Sequence, residues 1–273
     1  MHFLSFTWDP SEGIDLGFFM IRYYSLMFVI AFVLGWYIMK KIYTREGLSQ
    51  EKLDSLFIYM VVAILLGARL GHVIFYQPEL FTQDPLSILL PIRTVPTFKF
   101  TGFQGLASHG AAIAVIIAMY YYSKKVLQNP ILWILDRVVI PVASGAIFVR
   151  IGNFINSEII GKPTTGDFGV IFKQLGEDFP RHPAQLYESF CYVFVFLILW
   201  FVYWKTDKRK QLGFLFGLFL VLLWTVRFFV EFMKEAQVDE RADWLLNTGQ
   251  LLSIPFIIIG IYFIVASKKR ISK

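Results

Sequence analysis

Residues 184–204 read Ala184-Gln-Leu-Tyr-Glu-Ser-Phe-Cys-Tyr-Val-Phe-Val-Phe-Leu-Ile-Leu-Trp-Phe-Val-Tyr-Trp204, and Lys205, Lys208, Arg209 and Lys210 follow at once. A helix rises about 1.5 Å per residue and the hydrocarbon core of a bilayer is about 30 Å thick, so about 20 apolar residues cross it. This run meets that length. It breaks its apolar character only near its start, at Gln185 and Glu188, and it ends in a block of positive charge. Comparable runs occur near 18–39, 55–76, 106–123, 131–149, 212–232 and 250–267.

The charges check the number of spans independently. Lys40, Lys41, Arg45 and Lys52 follow the first run, Lys124 and Lys125 the third, and Lys268, Lys269, Arg270 and Lys273 the seventh. A basic cluster after every odd span is the pattern expected when cytoplasmic loops retain Lys and Arg. The expectation is therefore an all-α membrane protein of about seven transmembrane helices, N-terminus periplasmic, C-terminus cytoplasmic, with a small periplasmic cap. The chain is 56% hydrophobic and 17% charged, too apolar for a water-soluble domain. Residues 1–273 read as a single polytopic membrane domain. The first span is preceded by Ser11, Glu12 and Asp15 instead of a basic region, so it is expected to be retained and not cleaved as a signal peptide. The net charge of +6 is accounted for by the loops, which argues against nucleic acid as a partner. Cys191 lies within a span and is read as packing.

Two outer segments are long. The first, about 77–105, mixes Pro78, Pro85, Pro91 and Pro96 with Phe81, Phe98, Phe100 and Phe103, which suits an irregular stretch at the lipid interface. The second, about 150–183, is the most polar long stretch and reads as the cap.

A charge in hydrocarbon costs about 2.5–3.5 kcal/mol even on lenient insertion scales, so each intramembrane charge requires a reason. The candidates are Arg69, Arg150, Glu188, Arg227 and Glu231. Arg227 and Glu231 share one helix face and can pair with each other, as a structural ion pair, or with a common ligand. Taken singly, His109 and Tyr24 at outer helix ends read as interfacial side chains before catalytic ones, and Arg22 can extend to the interface. The densest group is Arg150-Ile-Gly-Asn-Phe-Ile-Asn-Ser-Glu-Ile-Ile-Gly161, which brings an arginine, two asparagines and a glutamate to one helix end, more than a capped end requires. Arginines at one depth suit a phosphate, because guanidinium stays charged and offers planar paired donors. The phosphate naturally found at that depth is a phospholipid headgroup.

At these residues the sequence resembles bacterial prolipoprotein diacylglyceryl transferases. The resemblance rests on the 150–161 segment, on Arg181-His-Pro-Ala-Gln-Leu-Tyr-Glu188, Gly67-Ala-Arg-Leu-Gly71, Ser108-His-Gly110 and Ile21-Arg-Tyr-Tyr24, in the family's order and over essentially the whole chain. Ala111 and Leu223 depart from the family pattern, which has a glycine and a tyrosine there. The resemblance implies transfer of the diacylglyceryl group of phosphatidylglycerol to the lipobox cysteine of a prolipoprotein signal peptide, releasing glycerol 1-phosphate. It implies catalytic roles for His109, Arg150, Arg227 and Tyr24, and phosphatidylglycerol contacts from Arg150, Asn153, Glu158, Gly161, Arg227 and Glu231. In that scheme His109 deprotonates the thiol or orients the group that does, the arginines hold the phosphate, and Glu158 and Glu231 hold the arginines. No metal or other cofactor is expected, and the location implied is the bacterial inner membrane with the site toward the periplasm. A transporter would favour paired repeats with polar groups at the midplane. An intramembrane aspartyl peptidase would need two facing acids, whereas Asp54 and Asp136 lie near the inner ends of their spans. A purely structural membrane protein would leave the outer polar set unexplained.

Overall fold

The computed structural model describes residues 4–17, 20–90, 92–100, 105–164, 168–235 and 246–268. Pro91, Phe103, the 165–167 part of the cap and the basic residues Lys269, Arg270 and Lys273 lie outside them. In chain order the elements are β1 (Leu4–Trp8), β2 (Gly13–Asp15), β3 (Met20–Arg22), α1 (Tyr23–Arg45), α2 (Gln50–Tyr76), α3 (Leu80–Gln83), α4 (Leu86–Leu89), β4 (Ile92–Arg93) and β5 (Lys99–Phe100). There follow α5 (Ser108–Tyr122), which runs on as a wider turn to Leu127, then α6 (Ile131–Ile155), β6 (Phe168–Phe172), α7 (Ala184–Lys205), α8 (Phe214–Val230) and α9 (Thr248–Ser267).

Seven helices are long and apolar enough to cross a membrane, α1, α2, α5 with its extension, α6, α7, α8 with the short turn Glu231–Met233, and α9. Val33, Ile58, Ile116 and Phe190 stand outward on four of them, each more than 60% exposed. In water such surface would drive aggregation; in a bilayer it is the lipid-facing side. The protein is a multi-pass membrane protein.

Several boundaries differ from the sequence reading, the end of the first span at Arg45 instead of 39 among them. The first span begins at Tyr23 instead of 18, because Met20–Arg22 pairs antiparallel with Gly13–Asp15. The second begins at Gln50 instead of 55, since Ser49 caps it by accepting from the Lys52 amide and the polar first turn is invisible to hydropathy. The fourth runs to Ile155 instead of 149, so Arg150 and Asn153 sit on regular helix. The outer segments also hold short strand pairs absent from the all-α reading: β1 runs parallel to β6, and β4 is antiparallel to β5.

Two compact units form, one of Met1–Lys41 with Leu135–Lys273, the other Ile42–Ile134. In the larger, Asp136 on α6 accepts from the Gly213 and Phe216 amides and so caps α8. Trp224 and Phe256 stack at 4.2 Å between α8 and α9, and Trp8, Phe154, Val170 and Phe172 form a small core beneath the β1–β6 pair. In the smaller, α2 and α5 approach backbone to backbone. A Cβ built on Gly71 would lie 2.6 Å from the Gly110 Cα, and the reverse distance is the same. Gly67 and Gly71 are thus the small-residue pair that admits a close helix crossing. Gly71→Leu should force the helices apart and lower stability by about 1–3 kcal/mol. An unchanged unfolding temperature in detergent would refute this.

Candidate active site

Within the larger unit, the polar residues singled out from sequence converge at the end of α6 and the start of α7. Arg150 sits one turn and a half before the end of α6, and Glu188 lies in the second turn of α7. Their side chains meet at 2.7 Å between Nε and Oε2, with 12% and 0% exposure. Arg150 also donates to Asn153 Oδ1 at 3.0 Å, and the Asn153 amide donates to Glu158 at 2.7 Å. The expected Arg150–Glu158 partnership is therefore indirect, through Asn153, and the direct carboxylate is Glu188. The reason is geometric: Glu158 lies beyond the helix end, exposed, whereas Glu188 projects from the facing helix.

The chain that carries Glu158 is held in an unusual conformation. Ser157 and Ile159 have φ of 53° and 58°, which non-glycine residues and especially β-branched ones rarely adopt. The Glu158 amide donates to the Asn153 carbonyl at 3.0 Å, and buried Gln185 donates to the Glu158 carbonyl at 2.7 Å. Strained backbone fixed by surrounding bonds is characteristic of a ligand clamp. Gly161 lies where two backbones cross, its amide donating to the His182 carbonyl at 3.1 Å, and a Cβ there would come 2.9 Å from the Met233 carbonyl.

Glu231 does not pair with Arg227. α8 ends at Val230, and the tighter turn that follows aims Glu231 at Lys234, at 3.3 Å. Lys234 reaches Glu188 as well, at 3.0 Å, and is 3% exposed. It links the two carboxylates from below the surface, a role the sequence reading missed. Its spacing of three from Glu231 was the available signal.

Arg227 lies with its guanidinium 5.3 Å over the Trp224 ring. Among the described residues, its buried Nε–H has no hydrogen-bond acceptor. Tyr192 has Glu188, Arg150 and Arg227 as its charged neighbours, which places both arginines in one cluster. Tyr24 packs over Gly152, where an added Cβ would meet its ring at 2.9 Å, and its charged neighbours are Glu158 and Arg150. His109 belongs to the smaller unit, at the first turn of α5, exposed, with the rings of Phe75 and Tyr76 at 5.0 and 6.0 Å.

The buried set thus holds three cations, Arg150, Arg227 and Lys234, against two carboxylates, Glu188 and Glu231. One positive charge remains over, on a group with a donor to spare. The chain is thus a polytopic membrane protein whose larger unit carries a charged centre of a kind that can accommodate an anionic group. A family model for prolipoprotein diacylglyceryl transferase matches residues 12–266. Proteins described as phosphatidylglycerol–prolipoprotein diacylglyceryl transferase are 41% identical in Bacteroides fragilis, with 95% of this chain and 94% of the relative covered. In Tolumonas auensis the identity is 41%, covering 94% and 95%, and in Chloroherpeton thalassium 39%, covering 96% and 94%. The chain belongs to the prolipoprotein diacylglyceryl transferase family.

Proposed function

We propose that this protein transfers the diacylglyceryl group of phosphatidylglycerol to the lipobox cysteine of a prolipoprotein signal peptide, in a bacterial inner membrane and on its periplasmic side. The observation that carries the phosphate assignment is the Arg227 Nε–H, buried and without an acceptor among the described residues, beside cations that outnumber the two carboxylates Glu188 and Glu231. A buried donor left unmade costs about 1–3 kcal/mol, a cost that a bound phosphate oxygen removes. Family membership supports the same substrate. The basic clusters after alternate spans support the periplasmic side.

The step is a displacement at carbon. The cysteine sulfur attacks C3 of the diacylglyceryl group, the C3–O bond breaks, and glycerol 1-phosphate leaves with the electron pair. The thiol proton passes to a base, for which His109 is assigned. Arg150 and Arg227 bind the phosphate and stabilise charge on its departing oxygen, a contribution that grows where water is excluded. Asn153 and Tyr24 donate to the headgroup, Glu188 and Glu231 orient the cations, and the Glu158 turn with Gly161 shapes the wall.

Purified protein mixed with phosphatidylglycerol and a lipobox peptide should yield the peptide plus one diacylglyceryl mass, with glycerol 1-phosphate released in equal amount. A Cys→Ser peptide should stay unmodified. Equal transfer from phosphatidylcholine would contradict the headgroup assignment. His109→Gln should lower transfer while leaving phosphatidylglycerol binding intact, and transfer at the wild-type rate would exclude His109 as the base.

A further inference from the structure

Trp8, the last residue of β1, bonds to a residue 146 positions further along the chain, its indole N–H donating to the Phe154 carbonyl at 3.1 Å. We infer that Trp8 is a positioning residue for the transfer reaction, acting through Phe154 on Asn153 and on the Glu158 turn. The inference rests on the roles that the proposed function gives to Arg150, Asn153 and Glu158.

The bond meets a need of the helix. The last four carbonyls of an α-helix have no partner within it, and α6 ends at Ile155, so the Phe154 carbonyl is one of them. The Ser157 amide reaches it at 3.1 Å, and the indole, which donates and cannot accept, supplies a second hydrogen. The rings follow the bond. Trp8 and Phe154 lie 4.6 Å apart between centroids, and Phe154 meets Phe172 edge-on at 5.8 Å. Trp8, Ile160 and Leu186 pack against the buried side chains of Phe154, Val170 and Phe172.

The members of this small core stand beside the polar residues of the site. Phe154 adjoins Asn153, Ile160 follows Glu158 by two, and Leu186 adjoins Gln185, whose amide holds the Glu158 carbonyl at 2.7 Å. A close-packed core transmits displacement. Loosening it at Trp8 therefore disturbs three segments together, where Arg150, Asn153 and Glu158 are aligned through bonds of 3.0 and 2.7 Å.

A second tether starts just past β1. Ser157 Oγ donates to Gln174 Oε1 at 3.2 Å, and the Gln174 amide donates to the Pro10 carbonyl at 2.6 Å. Ser157 has φ of 53°, a conformation that persists only where its surroundings impose it. The neighbouring Lys173–Asp9 pair, at 3.2 Å, is exposed and adds little.

The test compares the full-length protein in detergent with Trp8→Phe, which keeps an aromatic ring in the core and deletes the N–H, and with Gln174→Leu, which cuts the second tether at an exposed position. Hydrogen exchange followed by mass spectrometry reads the turn, and lipidation of a lipobox peptide by phosphatidylglycerol reads the consequence. In both variants the amides of residues 156–158 should exchange faster, with exchange elsewhere in the transmembrane helices unchanged. Trp8→Phe should lower kcat about fivefold, the range that one neutral hydrogen bond supplies. KM should hold, because the charges that attract the phosphate remain and only their alignment suffers. Unaltered exchange at the turn in Trp8→Phe would overturn the inference, as would faster exchange there with the wild-type kcat. A loss of kcat accompanied by faster exchange throughout the protein would also overturn it, since Trp8 would then serve global stability alone. Exchange is read without substrate, so a wild type that transfers nothing refutes the proposed function, whereas an unaltered turn refutes this inference whatever the wild type transfers.

Discussion

Arg227→Ala is expected to lower kcat/KM for diacylglyceryl transfer by about 10²–10³-fold, the usual cost of removing one preorganised donor at a developing oxyanion, with little change in unfolding temperature. The separation of activity from stability follows from the pairing. Glu188 keeps both Arg150 and Lys234 in this variant, and Glu231 keeps Lys234, so no buried carboxylate is stranded. The substitution also removes a donor that has no acceptor within the described protein, so folding loses no hydrogen bond. Arg150→Ala is a less clean probe, because Glu188, with 0% exposure, would lose its 2.7 Å partner and Asn153 would lose its donor. Arg227→Lys keeps the charge but not the planar fork, and should recover only part of the activity. Transfer by Arg227→Ala within twofold of wild type would sink the phosphate role.

The spans were legible because length and hydropathy are local properties, and the bilayer imposes both on each helix separately. The boundaries that moved did so where a different local rule took over, strand pairing at Met20–Arg22 and capping at Ser49. The β1–β6 pair was not legible. Leu4–Trp8 is a short apolar run whose partner lies at Phe168–Phe172, and no periodicity signals a pairing at that separation. In the site, the 150–161 segment announced itself by polar density, and Gln185 and Glu188 by interrupting an apolar run. Which acid would face which base was not readable, because that depends on the turn after α8 and the facing of α6 by α7. The glycines of the Gly67–Gly71 motif flank an arginine and so look chemical, yet their direct contact is with Gly110 across a helix crossing. Lys234 escaped notice because a lysine just past a span resembles an ordinary solvated flank. Its burial arises from a backbone bridge to Gly161 and from the Lys162 amide, which donates to the Met233 carbonyl at 2.8 Å.

That lysine gives the largest expected loss of stability. Lys234→Met leaves Glu188 with Arg150, but it leaves Glu231 without a cation among the described residues, its carboxylate against Gly249 at the start of α9. Removing one partner of a buried ion pair costs about 3–5 kcal/mol, mainly through the charge left behind. If stranded charge is the cause, neutralising it should restore what was lost. Lys234→Met combined with Glu231→Gln should therefore unfold at a temperature much nearer wild type than Lys234→Met alone, even though it carries an extra substitution. A purely steric role for the lysine predicts the opposite, since glutamine fills the same space as glutamate and could restore nothing. Thermal unfolding of the single variants and the double variant in one detergent decides between them, with additive losses excluding the electrostatic account. Activity should return with stability in the double variant, because it loses one cation and one carboxylate and leaves Arg150, Arg227 and Glu188 with the same excess of one positive charge.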